Sequence, residues 1–266
     1  MINTKKQKIV YIGAGNVAFH FVKILAEHFD IIQIYSRNIE NAELLAKKFN
    51  CKFTNNISEI DRTANIYFIS LKDDIIEEVL KKFNFKIPLS IHTSGSIDIN
   101  ILQPFSENFG VIYPLQTFSK NAKLNLTEIP LFIEANNKKT HNSVKQIAGC
   151  ISKKTFNCST ENRQLLHIAG VFSNNFTNYL FLLTKKLLKK TEYDFDVLKP
   201  LITETLNKAI SFGPENSQTG PAIRNDLNII NKHLEILKNY EDCQKMYRFV
   251  TESIIKENKE KNNDKF

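Results

Sequence analysis

Lys8-Ile9-Val10-Tyr11-Ile12-Gly13-Ala14-Gly15-Asn16-Val17-Ala18 is the stretch from which the fold can be read. Its first five residues make a short apolar run suited to a buried strand. Beyond the glycines, Phe21, Val22, Leu25 and Phe29 recur at helical spacing, so residues 17–28 are expected to form an amphipathic helix. Between the two stands Gly13-x-Gly15-x-x-Ala18. In a strand–turn–helix of this order, Gly13 permits the tight turn, Gly15 lets the backbone approach a pyrophosphate, and Ala18 lets the helix pack close to the strand. The phosphates would rest on the N–H groups of Asn16 and Val17, at the positive end of the helix. A tight turn without a ligand uses the same glycines; the order of the elements favours the ligand.

Outward from this unit, strand signals at 31–35, 51–54, 66–70 and 89–93 alternate with helical ones at 38–49 and 73–83. Such alternation predicts a mostly parallel, doubly wound sheet with helices on both faces, a Rossmann-like α/β domain. Further strands are expected at 111–113, 130–135 and 155–157, with a helix at 139–151. From 160 onward the pattern is helical: 161–190, 196–212, 221–237 and 242–256. The expected organisation is a dinucleotide-binding domain over 1–158, an all-α domain over 159–255, and a low-complexity, disordered tail over 256–266.

Composition narrows the classes. The 266 residues carry a net charge of +8, yet only five of the 36 basic residues are arginine and they do not cluster. Arginine is the residue that forks onto phosphates and bases, so nucleic acid is not the expected partner. No apolar run reaches membrane-spanning length. Met1 to Lys8 is polar and lysine-rich, unlike a secretory signal. Four cysteines without a CxxC pair suggest neither zinc nor a disulfide framework, and a reducing cytoplasm is the expected setting. Asp73, Glu128, Glu134 and Asp226 offer no metal-ligand spacing, so no metal is expected.

Where a carboxylate would grip the ribose of NAD at the end of the second strand, the chain has Tyr35-Ser36-Arg37-Asn38. Ser36 and Arg37 suit a 2′-phosphate, which favours NADP; a solvated surface arginine is the alternative. Ser70-Leu71-Lys72-Asp73 and His92-Thr93-Ser94-Gly95-Ser96 follow two later strands, where open α/β sheets bind ligands. Ser70 and Lys72 are expected to border the cofactor. Ser94 or the imidazole could approach the reacting centre, or the loop could be a plain turn capped at Ser96 or Asp98. On the helix from Glu161, His167, Asn174 and Asn178 lie within about 20° of one line on an ideal helix. Gln164 to Thr184 contains no Lys or Glu, as if something approaches that face; an ordinary polar stripe is the alternative. The segment from Gly213 to Pro221 has two Gly-Pro steps, and Pro221 suits the first turn of the next helix.

GAGNVA, SRN, HTSGS, YPLQTF, HIAGVFSNNFTNYL and GPENSQTGPAIRND together resemble a group of bacterial Rossmann-like proteins described as NADP oxidoreductases. These carry a C-terminal domain of unknown function numbered 2520, and the likeness runs from about Lys8 to Thr251. Wider relatives are pyrroline-5-carboxylate reductase, deazaflavin-dependent NADP oxidoreductase, and the 6-phosphogluconate and β-hydroxyacid dehydrogenases. The resemblance implies an NADP domain, a helical domain, a substrate cleft between them, and a homodimer through the helices. In the β-hydroxyacid dehydrogenases a lysine four residues before an asparagine supplies the proton. Here Gly170 stands at that position before Asn174, leaving His167 as the titratable group on the same line. The expectation is hydride transfer between NADP(H) and a small carbonyl, imine or alcohol substrate. His167 would be the general acid/base, Asn174 would orient substrate, and Ser94 would assist. A catalytically silent NADP-binding sensor or assembly protein is the competing class.

Overall fold

The computed structural model describes residues 6–263. Within them lie β1 (Lys8–Ile12), α1 (Asn16–His28), β2 (Asp30–Tyr35), α2 (Ile39–Phe49), β3 (Lys52–Thr54), β4 (Ile66–Ile69) and α3 (Ile76–Leu80). There follow β5 (Ser90–His92), β6 (Phe109–Pro114), β7 (Leu131–Ala135), α4 (Lys138–Ile151), β8 (Thr155–Asn157) and α5 (Thr160–Gly170). After a π-helical segment, Val171–Phe176, come α6 (Thr177–Leu188), α7 (Lys199–Phe212), α8 (Pro214–Ser217), α9 (Leu227–Ile236) and α10 (Glu241–Asn263). No helix among the described residues is long and apolar enough to cross a membrane.

The strands form one eight-stranded sheet in the order β3-β2-β1-β4-β5-β6-β7-β8. The first six follow the doubly wound 3-2-1-4-5-6 order and run parallel. β7 is antiparallel to β6, because a loop without a crossover helix joins them. Alternate residues of each strand feed two cores. Ile9, Tyr11 and Phe68 meet Phe21 and Leu25 of α1, Leu45 of α2 and Val144 of α4. Val10, Ile12 and Ile69 meet Ile76, Val79 and Leu80 of α3 on the other face. Burial on both faces is why these strands read as continuous apolar runs.

The chain divides into two compact units, Met1–Asn175 and Phe176–Phe266. The change in periodicity near 158–160 marks the start of α5, but α5 belongs to the first unit. In the second, Leu183, Leu237 and Cys243 form a small core, and α7 buries no residue. Two expectations change here. Pro221 opens a turn: Asn225 adopts a left-handed φ of 53°, and the helix starts only at Leu227, capped by Asp226. The tail expected to be disordered from 256 continues α10 to Asn263; residues 264–266, like 1–5, lie outside the described residues. On α5, Leu165 and Ile168 are 64% and 51% exposed.

Candidate active site

β1, β2, β4, β5 and β6 run parallel, so the loops at their carboxyl ends share one edge of the sheet. At the β1–α1 turn the two glycines differ in kind. Gly13 has φ +117°, and a Cβ there would lie 2.2 Å from the Ser70 carbonyl oxygen, so backbone conformation and close approach both require glycine. Gly15 has φ −83°, open to any residue, and a Cβ there would meet nothing within 4 Å. It leaves space in front of a helix start. α2, α4 and α5 are capped by the side chains of Asn38, Asn137 and Ser159, whereas α1 has no side-chain cap. Its first N–H groups are left for an anion.

The other expected cofactor residues follow β2 and β4, the two strands that flank β1. Ser36 donates its backbone N–H to Thr54, and Arg37 is exposed beside it, with no carboxylate at the end of β2. Ser70 bonds through Oγ to the Tyr11 hydroxyl at 2.8 Å and Thr93 at 3.0 Å; burial pushes the Tyr11 phenol well above its usual range. Lys72 is exposed at the start of the turn Asp73–Ile75. Asn16 donates from Nδ2 to the Phe118 carbonyl at 2.9 Å, and His20 Nε2 bonds that of Ser119 at 2.9 Å.

The β5 loop is held by a residue the sequence did not single out. Arg163 of α5 is fully buried, and its Nη1 donates to the carbonyls of Ser94 (3.0 Å), Gly95 (3.3 Å) and Ile97 (2.8 Å). Its Nη2 donates to Glu134 of β7 and to Thr160, both at 3.0 Å. Gln164 adds a bond to the Ser96 carbonyl at 2.7 Å. Ser94 is buried, and its hydroxyl accepts from the N–H groups of Ser96 and Ile97, so it shapes the turn. Asp98 caps the following turn. In the same loop, Nδ1 of fully buried His92 accepts from the Ser94 N–H. Burial, with the Arg163 charge second, pushes His92 down to about 3, so the ring is neutral.

The other histidine is placed differently. His167 is half-buried, and its Nδ1 lies 3.0 Å from the hydroxyl of Tyr113 at the end of β6. Burial raises the Tyr113 phenol, with the Arg163 charge opposing. Gly95 backs onto the pair: a Cβ there would come within 2.6 Å of His167 Nδ1 and 2.8 Å of Tyr113. These two residues border a cleft of about 220 Å³ with Gln116, Thr117, Ser173, Asn174 and Asn175. Every residue lining this cleft belongs to the first unit. The straight-helix line through His167, Asn174 and Asn178 is modified. The π-helical segment turns Asn174 and Asn175 together into the cleft, and Asn178 belongs to the second unit. Segments of this kind recur at functional sites.

Residues 8–93 match the family model described as NADP oxidoreductase, coenzyme F420-dependent, and residues 129–254 match DUF2520, a domain of unknown function. A putative NADP oxidoreductase, BF3122 from Bacteroides fragilis, is 39% identical, with a TM-score of 0.85 over 94% of this chain and 98% of that one. The chain belongs to the NADP oxidoreductase family that carries a DUF2520 domain. Two other solved structures share the fold of this family member. A 1-pyrroline-5-carboxylate reductase from Streptococcus pyogenes is 16% identical, with a TM-score of 0.59 over 94% and 98% of the two chains. An imine reductase from Myxococcus stipitatus, solved in complex with NADP+, is 13% identical, with a TM-score of 0.63 over 97% and 94%. No curated protein matches the chain. The uncapped α1 terminus, the open space at Gly15 and the Ser36-Arg37 pair fit the dinucleotide that the family name implies.

Proposed function

We propose that this family member transfers hydride between NADP(H) and the carbonyl, imine or alcohol carbon of a small substrate held in the cleft beside His167. One observation carries the reading. The loop after β6 lines that cleft at Gln116 and Thr117 and, one residue on, takes the Asn16 hydrogen bond from the first turn of α1. The cofactor turn and the cleft therefore share one wall. Bound NADPH supplies the hydride; the chain's own work is to hold it and to manage a proton. Gly15, Asn16 and Val17 receive the pyrophosphate, Ser36 and Arg37 the 2′-phosphate, and Ser70 and Lys72 flank the turn. His167, held at Nδ1 by Tyr113, exchanges a proton with substrate as general acid/base, and Asn174 offers its amide to orient it. Ser94 serves by fixing the loop behind His167.

The test is NADPH oxidation against a panel of ketones, aldehydes and imines. Binding of NADPH without turnover on any of them would favour a silent sensor or assembly protein instead. Gly15→Val is expected to keep the fold, since the position accepts a side chain, and to abolish NADPH binding by calorimetry; unchanged affinity would refute the turn's role. Arg37→Ala removes a charge-assisted contact of roughly 1.5–3 kcal/mol. It should weaken NADPH by about ten- to a hundredfold and leave NADH nearly unchanged. Equal loss for both would show that Arg37 does not read the 2′-phosphate.

We further propose a homodimer through the helical unit, in a reducing cytoplasm. Leu201 and Phe212 on one side of α7, and Leu206 and Ile210 on the other, are 58–75% exposed, more bare apolar side chain than solvent favours on one helix.

A further inference from the structure

We infer that the substrate is uncharged at the end that enters the His167 cleft: a small ketone or imine bearing an amide or hydroxyl, rather than a carboxylate or phosphate. This rests on the assignment of that cleft to substrate. Its polar lining residues are Tyr113, Thr117 and Ser173, which carry hydroxyls, Gln116, Asn174 and Asn175, which carry amides, and His167. Leu115, Gly170 and Val171 complete it, so no Lys, Arg, Asp or Glu is among the described residues that line it.

That neutrality stands out against a chain in which 24% of residues are charged and the net charge is +8. Arg163, whose charge is felt at Tyr113, is fully buried, is committed to Glu134, Thr160 and three carbonyls, and does not line the cleft. His167 has one nitrogen engaged by Tyr113, so at most one ring N–H remains for a ligand. A carboxylate or phosphate drawn into this space would give up water without gaining an ion pair with any Lys or Arg of the lining, and an unpaired charge out of water is costly. An amide is matched instead: the side-chain amides and hydroxyls can donate to its oxygen and accept from its nitrogen. At about 220 Å³ the cleft is small beside ordinary ligand pockets, which suits a substrate of few heavy atoms.

The experiment compares two matched pairs with NADPH and the full chain: levulinamide against levulinate, and pyrroline carboxamide against pyrroline carboxylate. Turnover is read as NADPH oxidation, and binding to the NADPH-loaded protein as saturation transfer in NMR. The amide member of at least one pair should show kcat/KM, or affinity where turnover is absent, at least tenfold above its acid. Equal use of both members, or preference for the acids, overturns the inference. So does failure of all four compounds to react or bind. In that event NADPH calorimetry on the same sample, with Gly15→Val as control, decides separately whether the cofactor assignment stands.

Discussion

Arg163→Met is expected to lower the free energy of unfolding by about 3–5 kcal/mol, the usual cost of removing one partner from a buried ion pair. The wild-type side chain is fully buried, and its partner Glu134 is 17% exposed. Methionine fills much of the same volume, so the loss is chiefly electrostatic. The Ser94, Gly95 and Ile97 carbonyls lose the donor they share, and Glu134 keeps only the Thr160 N–H and hydroxyl. Each buried acceptor left without a donor costs on the order of 1–3 kcal/mol, partly relieved when the loop shifts. Arg163→Lys should recover less than half, because a single ammonium cannot reach the carbonyls and the carboxylate at once. Urea unfolding measures both variants. Natural domains are stable by about 5–15 kcal/mol, so the methionine variant gives up a large part of the whole. A loss below about 1 kcal/mol would show that the loop does not depend on the guanidinium.

The sheet was legible because its strands are buried on both faces and its turns are marked by glycine, serine and asparagine. Ile9 to Ile12 and Ile66 to Ile69 read as strands from apolar runs alone. The antiparallel β7 was less legible: LFIEA fits either direction, and only the missing crossover helix before it gives the direction away. In α5 the polar residues Arg163 and Gln164 dock on the β5 loop, while Leu165 and Ile168 stay exposed. A sequence pattern reports which face is apolar, not whether the same chain covers it.

At the site, Gly13, Gly15 and His167 could be found because each breaks a local rule: two glycines at a strand end, and one titratable residue on a face of small polar groups. Tyr113 could not, since a tyrosine closing an apolar strand looks like core. Arg163 left a fainter mark, as one of five arginines in a lysine-rich chain and close to the HTSGS segment only in space. Gly95 was passed over as a turn glycine, although its lack of a side chain is what admits the His167–Tyr113 pair. The π-helical segment escaped because a period of 3.6 was assumed throughout; one such segment is enough to bring Asn175 in beside Asn174.

His167→Gln should leave folding and NADPH affinity near wild type and cut turnover by about 10²–10⁴, the range that general acid–base catalysis supplies. Glutamine is chosen because it is similar in reach and can still accept a hydrogen bond from Tyr113, so the wall formed by Gly95, Tyr113 and the side chain stays filled. What it cannot do is pass a proton to substrate and take one back, the property that distinguishes imidazole among the cleft's side chains. His92 offers no substitute, since it is fully buried and held neutral. Tyr113→Phe provides the comparison. It keeps the ring that fills the wall but releases Nδ1, so its loss of turnover should be smaller than that of His167→Gln, with NADPH affinity unchanged. Turnover of His167→Gln within a few-fold of wild type would remove His167 from the chemistry. The proton would then have to come from water or from a hydroxyl of the cleft, and the Tyr113–His167 bond would be a packing device that closes the β5 loop.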